Sequence, residues 1–235
     1  METVRFHIHR KGAFAGCTLT YRLNINGAFV GALKNGGTLD IIAARAKCYY
    51  IDKAWSFDER NGYFEDDGSD EYNIVIKHAG GWRTGSCKEF FRIKSGKIIN
   101  LPSFHYDRYL SAIFSRDEFS ELSEAERVFT RCLEFGNAIC DDMDALLCSE
   151  HYHEMLEAVK QIGAQRIYEA ITSFVSEQFA HEIELPFEDS PDSYFYRSAV
   201  SSGNAIIKNC RKNGAYEEFH KCMVHYLIDS ILTVG

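Results

Sequence analysis

Leu19-Thr20-Tyr21-Arg22-Leu23-Asn24-Ile25-Asn26-Gly27-Ala28-Phe29-Val30-Gly31-Ala32-Leu33 decides the first half of the chain. Leu19, Tyr21, Leu23 and Ile25 alternate with polar neighbours, the period of a half-buried strand. Asn26-Gly27 follows, then a second apolar run. Both central positions of a two-residue hairpin turn need positive φ, which Asn and Gly adopt most easily. The stretch therefore predicts two antiparallel strands joined by a tight turn.

Working outward, Val4, Phe6 and Ile8 alternate with Arg5, His7 and His9. Asn35-Gly36-Gly37 supplies the next turn. Thr38–Ala43, Lys47–Ala54, Tyr72–His78 and Lys88–Lys94 read as further strands. Gly96–Leu101 is either a last strand or the start of a linker. Seven or eight short strands with turns between them predict an antiparallel β-sandwich over residues 1–98.

Near Pro102 the period changes from two to that of a helix. Tyr106–Phe114 reads as a short helix. Ser123 and Glu126 form an S-x-x-E capping box before Val128, Phe129, Cys132 and Phe135. That helix is expected to end or bend at Gly136-Asn137. Asp141–Leu147 reads as another short helix, and Met155, Leu156, Val159 and Ile162 mark a helix from about Glu150. Gly163 stands where a C-terminal cap belongs. Further helices are expected around 167–175, over Arg197–Lys212 and over Tyr216–Leu232. The expected architecture is α+β with two domains, a sandwich at 1–98 and an all-α acidic domain at 104–235. At 235 residues the chain is long enough for two such units.

The charge divides in the same place. Residues 1–100 carry a formal +4 and residues 101–235 carry −12, within a total of −8. The stretch from Asp107 to Asp192 alone carries −14. Such a surface repels nucleic acid and attracts basic partners. No run approaches the length of a membrane-spanning helix, and the N-terminus lacks a secretion signal's apolar core, so a cytoplasmic protein is expected.

Chemistry-bearing motifs are few. None of the eight cysteines forms a C-x-x-C pair, so reduced thiols packing as small hydrophobes are expected. Cys132, Cys140 and Cys148 recur every eight residues and would share a face on one continuous helix. Asp66-Asp67-Gly68-Ser69-Asp70-Glu71 lacks the ligand spacing of a calcium loop and reads as an acidic turn. His7 and His9 share a strand face without a visible third metal ligand. Gly80–Gly85 is followed by no helical pattern, so it is not a phosphate cradle. His151-Tyr152-His153 reads as the polar start of a helix. No cofactor, metal site or catalytic motif is expected.

Glu150, Glu154 and Glu157 stand at i, i+4 and i+7. On a helix, four residues rise about 6 Å, comparable to the spacing of phosphates along a nucleic-acid strand. Glu121 and Glu124 belong to a second acidic cluster with Asp117, Glu118 and Glu126; Asp141, Asp142 and Asp144 form a third. Fixed carboxylates of this kind can occupy the lysine- and arginine-lined groove of a nucleic-acid-binding protein.

Leu122-Ser123-Glu124-Ala125-Glu126-Arg127-Val128-Phe129 resembles the opening of an acidic, all-helical bacterial family that includes a DNA-mimic protein. Glu154 to Ala164, with its Ile162-Gly163-Ala164, is similar to that family's helix–turn–helix signature. Tyr168-Glu169-Ala170-Ile171 and Tyr216-Glu217-Glu218-Phe219 resemble later helices. The family carries Asn-Asn-Gly-Gly-Phe after its first helix, whereas this chain has Asn137-Ala138-Ile139-Cys140-Asp141-Asp142-Met143. The resemblance covers about residues 120–230. It implies a helical domain, with a homodimer among its states, that imitates nucleic acid toward a basic nucleic-acid-binding protein or nuclease and does not itself bind nucleic acid. Residues 17–34 resemble a small bacterial β-sandwich module.

Two alternatives stand beside this expectation of a non-catalytic interaction protein. Tyr49, Tyr50, Trp55 and Trp82 could form a stacking platform for a carbohydrate or similar small ligand. An enzyme of unrecognised type would require a deep pocket with a perturbed carboxylate or histidine.

Overall fold

The computed structural model describes residues 2–13, 19–53, 61–77, 89–102, 106–179 and 194–233. Trp55, Trp82, Cys17, Cys87, Pro186, Pro191 and Gly80–Gly85 lie outside the described residues. The chain divides into two compact units, Met1–Asp107 with Ile228–Gly235, and Arg108–Leu227.

The first unit holds β1 (Thr3–Arg10), β2 (Tyr21–Ile25), β3 (Ala28–Leu33), β4 (Thr38–Ala44), β5 (Cys48–Lys53), β6 (Gly62–Glu65), β7 (Glu71–Lys77), β8 (Glu89–Lys94) and β9 (Lys97–Asn100). They form two sheets, in the orders β4-β1-β7-β8-β9 and β3-β2-β5-β6. The β2–β3 turn is the expected one: Ile25 pairs with Ala28, and Asn26 and Gly27 have φ of 50° and 72°. Buried side chains of both sheets meet in one cluster, with Val4, Phe6 and Ile8 from β1 and Leu23, Tyr49 and Ile51 from β2 and β5. The Phe6 and Tyr49 rings meet edge-on, 5.0 Å between centroids.

Two expectations need correction here. The first is that the strands are antiparallel throughout. β1 pairs β7 in parallel, with Phe6 opposite Tyr72. Period two sets which face a side chain takes, not strand direction, and the long segment between β1 and β7 makes a parallel partner reachable. The second is the tyrosine platform. Tyr49 and Tyr50 are fully buried, and Asn61 Nδ2 donates to the Tyr50 hydroxyl at 2.9 Å, so both belong to the core. A charged residue that the strand pattern did not single out is also taken into the core. Arg10 is fully buried, lies 3.8 Å from the Tyr21 ring centroid and donates to the carbonyls of Leu19 (2.5 Å) and Leu33 (3.2 Å).

The acidic turn after β6 is satisfied by the chain's own cations. Arg45 Nη1 donates to both oxygens of Asp66 at 3.1 and 3.0 Å, while Arg92 and Lys94 reach Asp67 at 2.7 and 2.8 Å. Lys94, Ser69 and Arg92 hold Asp67 well below the usual carboxylate range. At Asp66 burial acts upward, but bonds from Tyr72 and Arg45 outweigh it and lower the pKa. A π-helical turn, Ile228–Leu232, lies against β5 within this unit.

The second unit is built on α1 (Tyr106–Phe114), α2 (Arg116–Ser120), α3 (Glu124–Asp141), α4 (Met143–Leu147), α5 (Tyr152–Gln161), α6 (Gln165–Phe179), α7 (Tyr194–Lys212) and α8 (Ala215–Leu227). α3 and α5 make the most extensive helix pair. Phe129, Cys132 and Phe135 of α3 and Met155 and Val159 of α5 are buried, as the helical period requires. Phe135 meets Phe219 of α8 edge-on at 5.4 Å. α3 does not stop at Gly136-Asn137; it continues to Asp141. Cys132 is buried and Cys140 exposed on α3, and Cys148 follows α4, so the three share no face. Among the described residues no helix is long and apolar enough to cross a membrane.

Candidate functional site

The capping box fixes where α3 begins. Ser123 Oγ accepts the Glu126 N–H at 3.3 Å, and Glu126 accepts the Ser123 N–H at 2.9 Å. Burial acts to raise the Glu126 pKa. The Ser123 bonds and the nearby Arg108 guanidinium at 3.1 Å outweigh it and lower the pKa. Glu124 is thereby set on the exposed first turn, beside Glu121, the C-cap of α2. Asp117 and Glu118 stand in the first turn of α2, also exposed. Among the described residues, none of Asp117, Glu118, Glu121 and Glu124 has a basic side chain within 4.0 Å.

The other candidate carboxylates, Asp141 apart, are used locally. Asp142 caps α4, accepting the Ala145 N–H at 2.9 Å. Asp144 lies in that helix's first turn, where its charge favours the helix dipole. Asp141 is the exposed last residue of α3. Glu157 has Lys160 at 3.8 Å, and Glu154 accepts from Arg131 Nε at 2.6 Å.

Glu150 overturns the single-helix spacing. It lies in the turn before α5, which starts at Tyr152. The expected row at helical rise is therefore only Glu154 and Glu157. Glu150 instead stands 3.9 Å from Arg116 and 3.7 Å from His151 Nε2.

The structure assembles a charge network around these acids. Arg131, whose side chain is 9% exposed, packs 4.1 Å over the Phe119 ring and donates Nη1 to Glu134 at 2.8 Å. The other oxygen of Glu134 contacts His151 Nδ1 at 2.9 Å and the Ser149 hydroxyl at 3.4 Å. His151 is the N-cap of α5 without a side-chain capping bond, so its ring serves Glu134 instead. Sequence reasoning missed Arg131, Glu134 and Phe119, and it read His151 only as part of a polar helix start. The i, i+3 spacing of Arg131 and Glu134 was a usable signal. Partners more than fifteen residues away were not.

The arrangement can hold and orient charge. Burial pushes the Cys48 thiol up to about 11 and raises Cys132, Cys210 and Cys222 as well, which disfavours thiolate. Among the described residues no three His, Cys, Asp or Glu side chains group as metal ligands. No family model, no curated protein and no solved structure matches the chain.

Proposed function

We propose that this is a non-catalytic interaction protein whose helical unit presents carboxylates to a basic nucleic-acid-binding partner. The observation that carries the reading is the set of four exposed carboxylates on α2 and the start of α3 with no basic side chain within 4.0 Å among the described residues: Asp117, Glu118, Glu121 and Glu124. Uncompensated charge is what an incoming lysine or arginine gains from, whereas Glu154 and Glu157 are already paired within the unit. The −14 of Asp107 to Asp192 adds long-range attraction that salt screens. In this reading the two sheets form a sandwich that serves as an accessory module, and the protein works in the cytoplasm.

The test is capture from source lysate with the full-length protein, beside the variant D117N/E118Q/E121Q/E124Q. The expected result is a nucleic-acid-binding protein that salt elutes and competing DNA displaces. Its retention should fall about tenfold or more on the variant, since each lost charge pair contributes a few tenths to about 1 kcal/mol. Equal retention by the variant, or an eluate without a nucleic-acid-binding protein, would overturn the reading.

A further inference from the structure

His7 stands on β1 with a carboxylate near each ring nitrogen. β1 runs between β4 and β7, and His7 pairs with Asp40 on one side and Asn73 on the other. Val4, Phe6 and Ile8 take the core face of β1, so the alternation of the strand puts His7 on the opposite face. There Nδ1 lies 2.5 Å from Asp40 Oδ1, and Nε2 lies 3.7 Å from Glu71 Oε2. The other Glu71 oxygen accepts from Arg5 Nη1 at 3.1 Å. His9, two residues on, pairs with Thr38 and Val75. Among the described residues, Asp40, Glu71, Arg5 and His9 are the charged and titratable side chains that face this stretch.

The two distances describe two different contacts. An ionised carboxylate only accepts, so Nδ1 carries the proton of the short one. In the neutral ring, Nε2 then presents a lone pair toward a second carboxylate, and no bond forms at 3.7 Å. An imidazolium carries a proton on both nitrogens and donates to both acids. Protonation also takes the group of Arg5, His7, Asp40 and Glu71 from one net negative charge to none. A hollow of about 430 Å³ beside the ring leaves the Glu71 side chain, 53% exposed, room to close the gap.

We propose that His7 is a proton-operated clasp: its imidazolium joins Asp40 of β4 to Glu71 of β7 across β1, and the neutral ring holds Asp40 alone. Histidine is the side chain whose charge ordinarily changes between pH 5 and 8. The clasp is closed at the acid end of that range and open at the other. It secures β4, which among the described strands of its sheet bonds only to β1. It also secures the parallel register of β1 and β7, which no hairpin turn fixes. The clasp belongs to the unit of sheets and does not depend on the acidic surface of the helical unit.

The test combines nitrogen NMR of the histidine rings with amide hydrogen exchange, on the full-length protein at about pH 5.5 and about pH 8, which bracket the histidine range. At the higher pH the His7 ring is expected as the Nδ1–H tautomer, and the Nε2–H tautomer there would overturn the clasp. This reading uses the wild-type protein and needs no variant. At the lower pH the β4 and β7 amides, corrected for the intrinsic pH dependence of exchange, should be protected about twofold to fivefold more, the scale of one exposed ion pair. Glu71→Gln should abolish that difference by removing the second acid's charge, and His7→Gln by removing the proton's site. His9→Gln should retain it, which separates the clasp from a general effect of histidine charge. Equal protection at both pH values would overturn the proposal. So would a difference that survives Glu71→Gln or vanishes in His9→Gln.

Discussion

His220 is the buried histidine of α8, and burial alone pushes its pKa down from 6.5 to about 3. The unfolded chain therefore takes up a proton near pH 6.5 that the folded chain refuses until about pH 3. Stability from this group is complete above pH 6.5 and is lost as pH falls through the window from 6.5 to 3. The slope for one proton is about 1.4 kcal/mol per pH unit. Urea unfolding at pH 7.5, 6 and 5 should show it, and His220→Gln should flatten the pH 5 to 7 portion; an equal pH slope in that variant would assign the loss elsewhere. His220, Arg10 and Arg131 also mark where the sequence was hard to read. The helical and strand periods placed their apolar neighbours inward, at Phe219, Ile8 and Cys132 for example. Two of them, Arg10 and Arg131, are buried because distant groups satisfy them. Arg10 needs the carbonyls of Leu19 and Leu33, and Arg131 needs Glu154. Local pattern carries no record of those partners.

Secondary-structure elements were legible where a local chemical requirement marks their ends. The Ser123–Glu126 box does so for α3, and Ser123→Ala should cost about 1 kcal/mol of stability by leaving the Glu126 N–H uncapped. A urea midpoint unchanged by that substitution would mean that packing of α3 alone sets the helix start. Gly163 does the same for the end of α5. Its φ is 80°, its N–H bonds the Lys160 carbonyl and the next N–H bonds Val159, a Schellman motif. Gly163→Ala should cost about 1 kcal/mol from the left-handed backbone alone, because no atom lies within 4 Å of the added methyl. Gly163 is therefore a requirement of helix termination at this turn. β6 and α2, at four and five residues, are too short for periodicity to register. α3 passes through Gly136 because that glycine packs beside Phe219, 3.5 Å from where a Cβ would stand, and tertiary contact overrides its low helix propensity. The candidate acids were legible as composition; which of them are already paired was not, because Arg116 and Arg131 reach them from other elements.

Across the whole molecule, charge and architecture divide together. The strand-rich residues 1–100 carry +4 and the helix-rich remainder −12. The exception to a simple division at the linker is the C-terminal end, where Ile228–Gly235 group with the sheets although they follow α8 directly. Ile228 is buried, and the π-helical turn it opens lies against β5, whose Tyr49, Tyr50 and Ile51 are core. The last residues of the chain should therefore stabilise the strands. Removal of residues 228–235 is expected to lower hydrogen-exchange protection at the β5 and β2 amides, because the turn that covers β5 is lost. The amides of α3 and α5, which belong to the other unit, should keep theirs. Burial of one large aliphatic side chain sets the scale, about 2–5 kcal/mol for its loss. If protection fell in α3 and α5 while β5 remained unchanged, the terminal turn would have to be assigned to the helical unit, and the division of the molecule would then follow the chain order that the sequence pattern alone predicts.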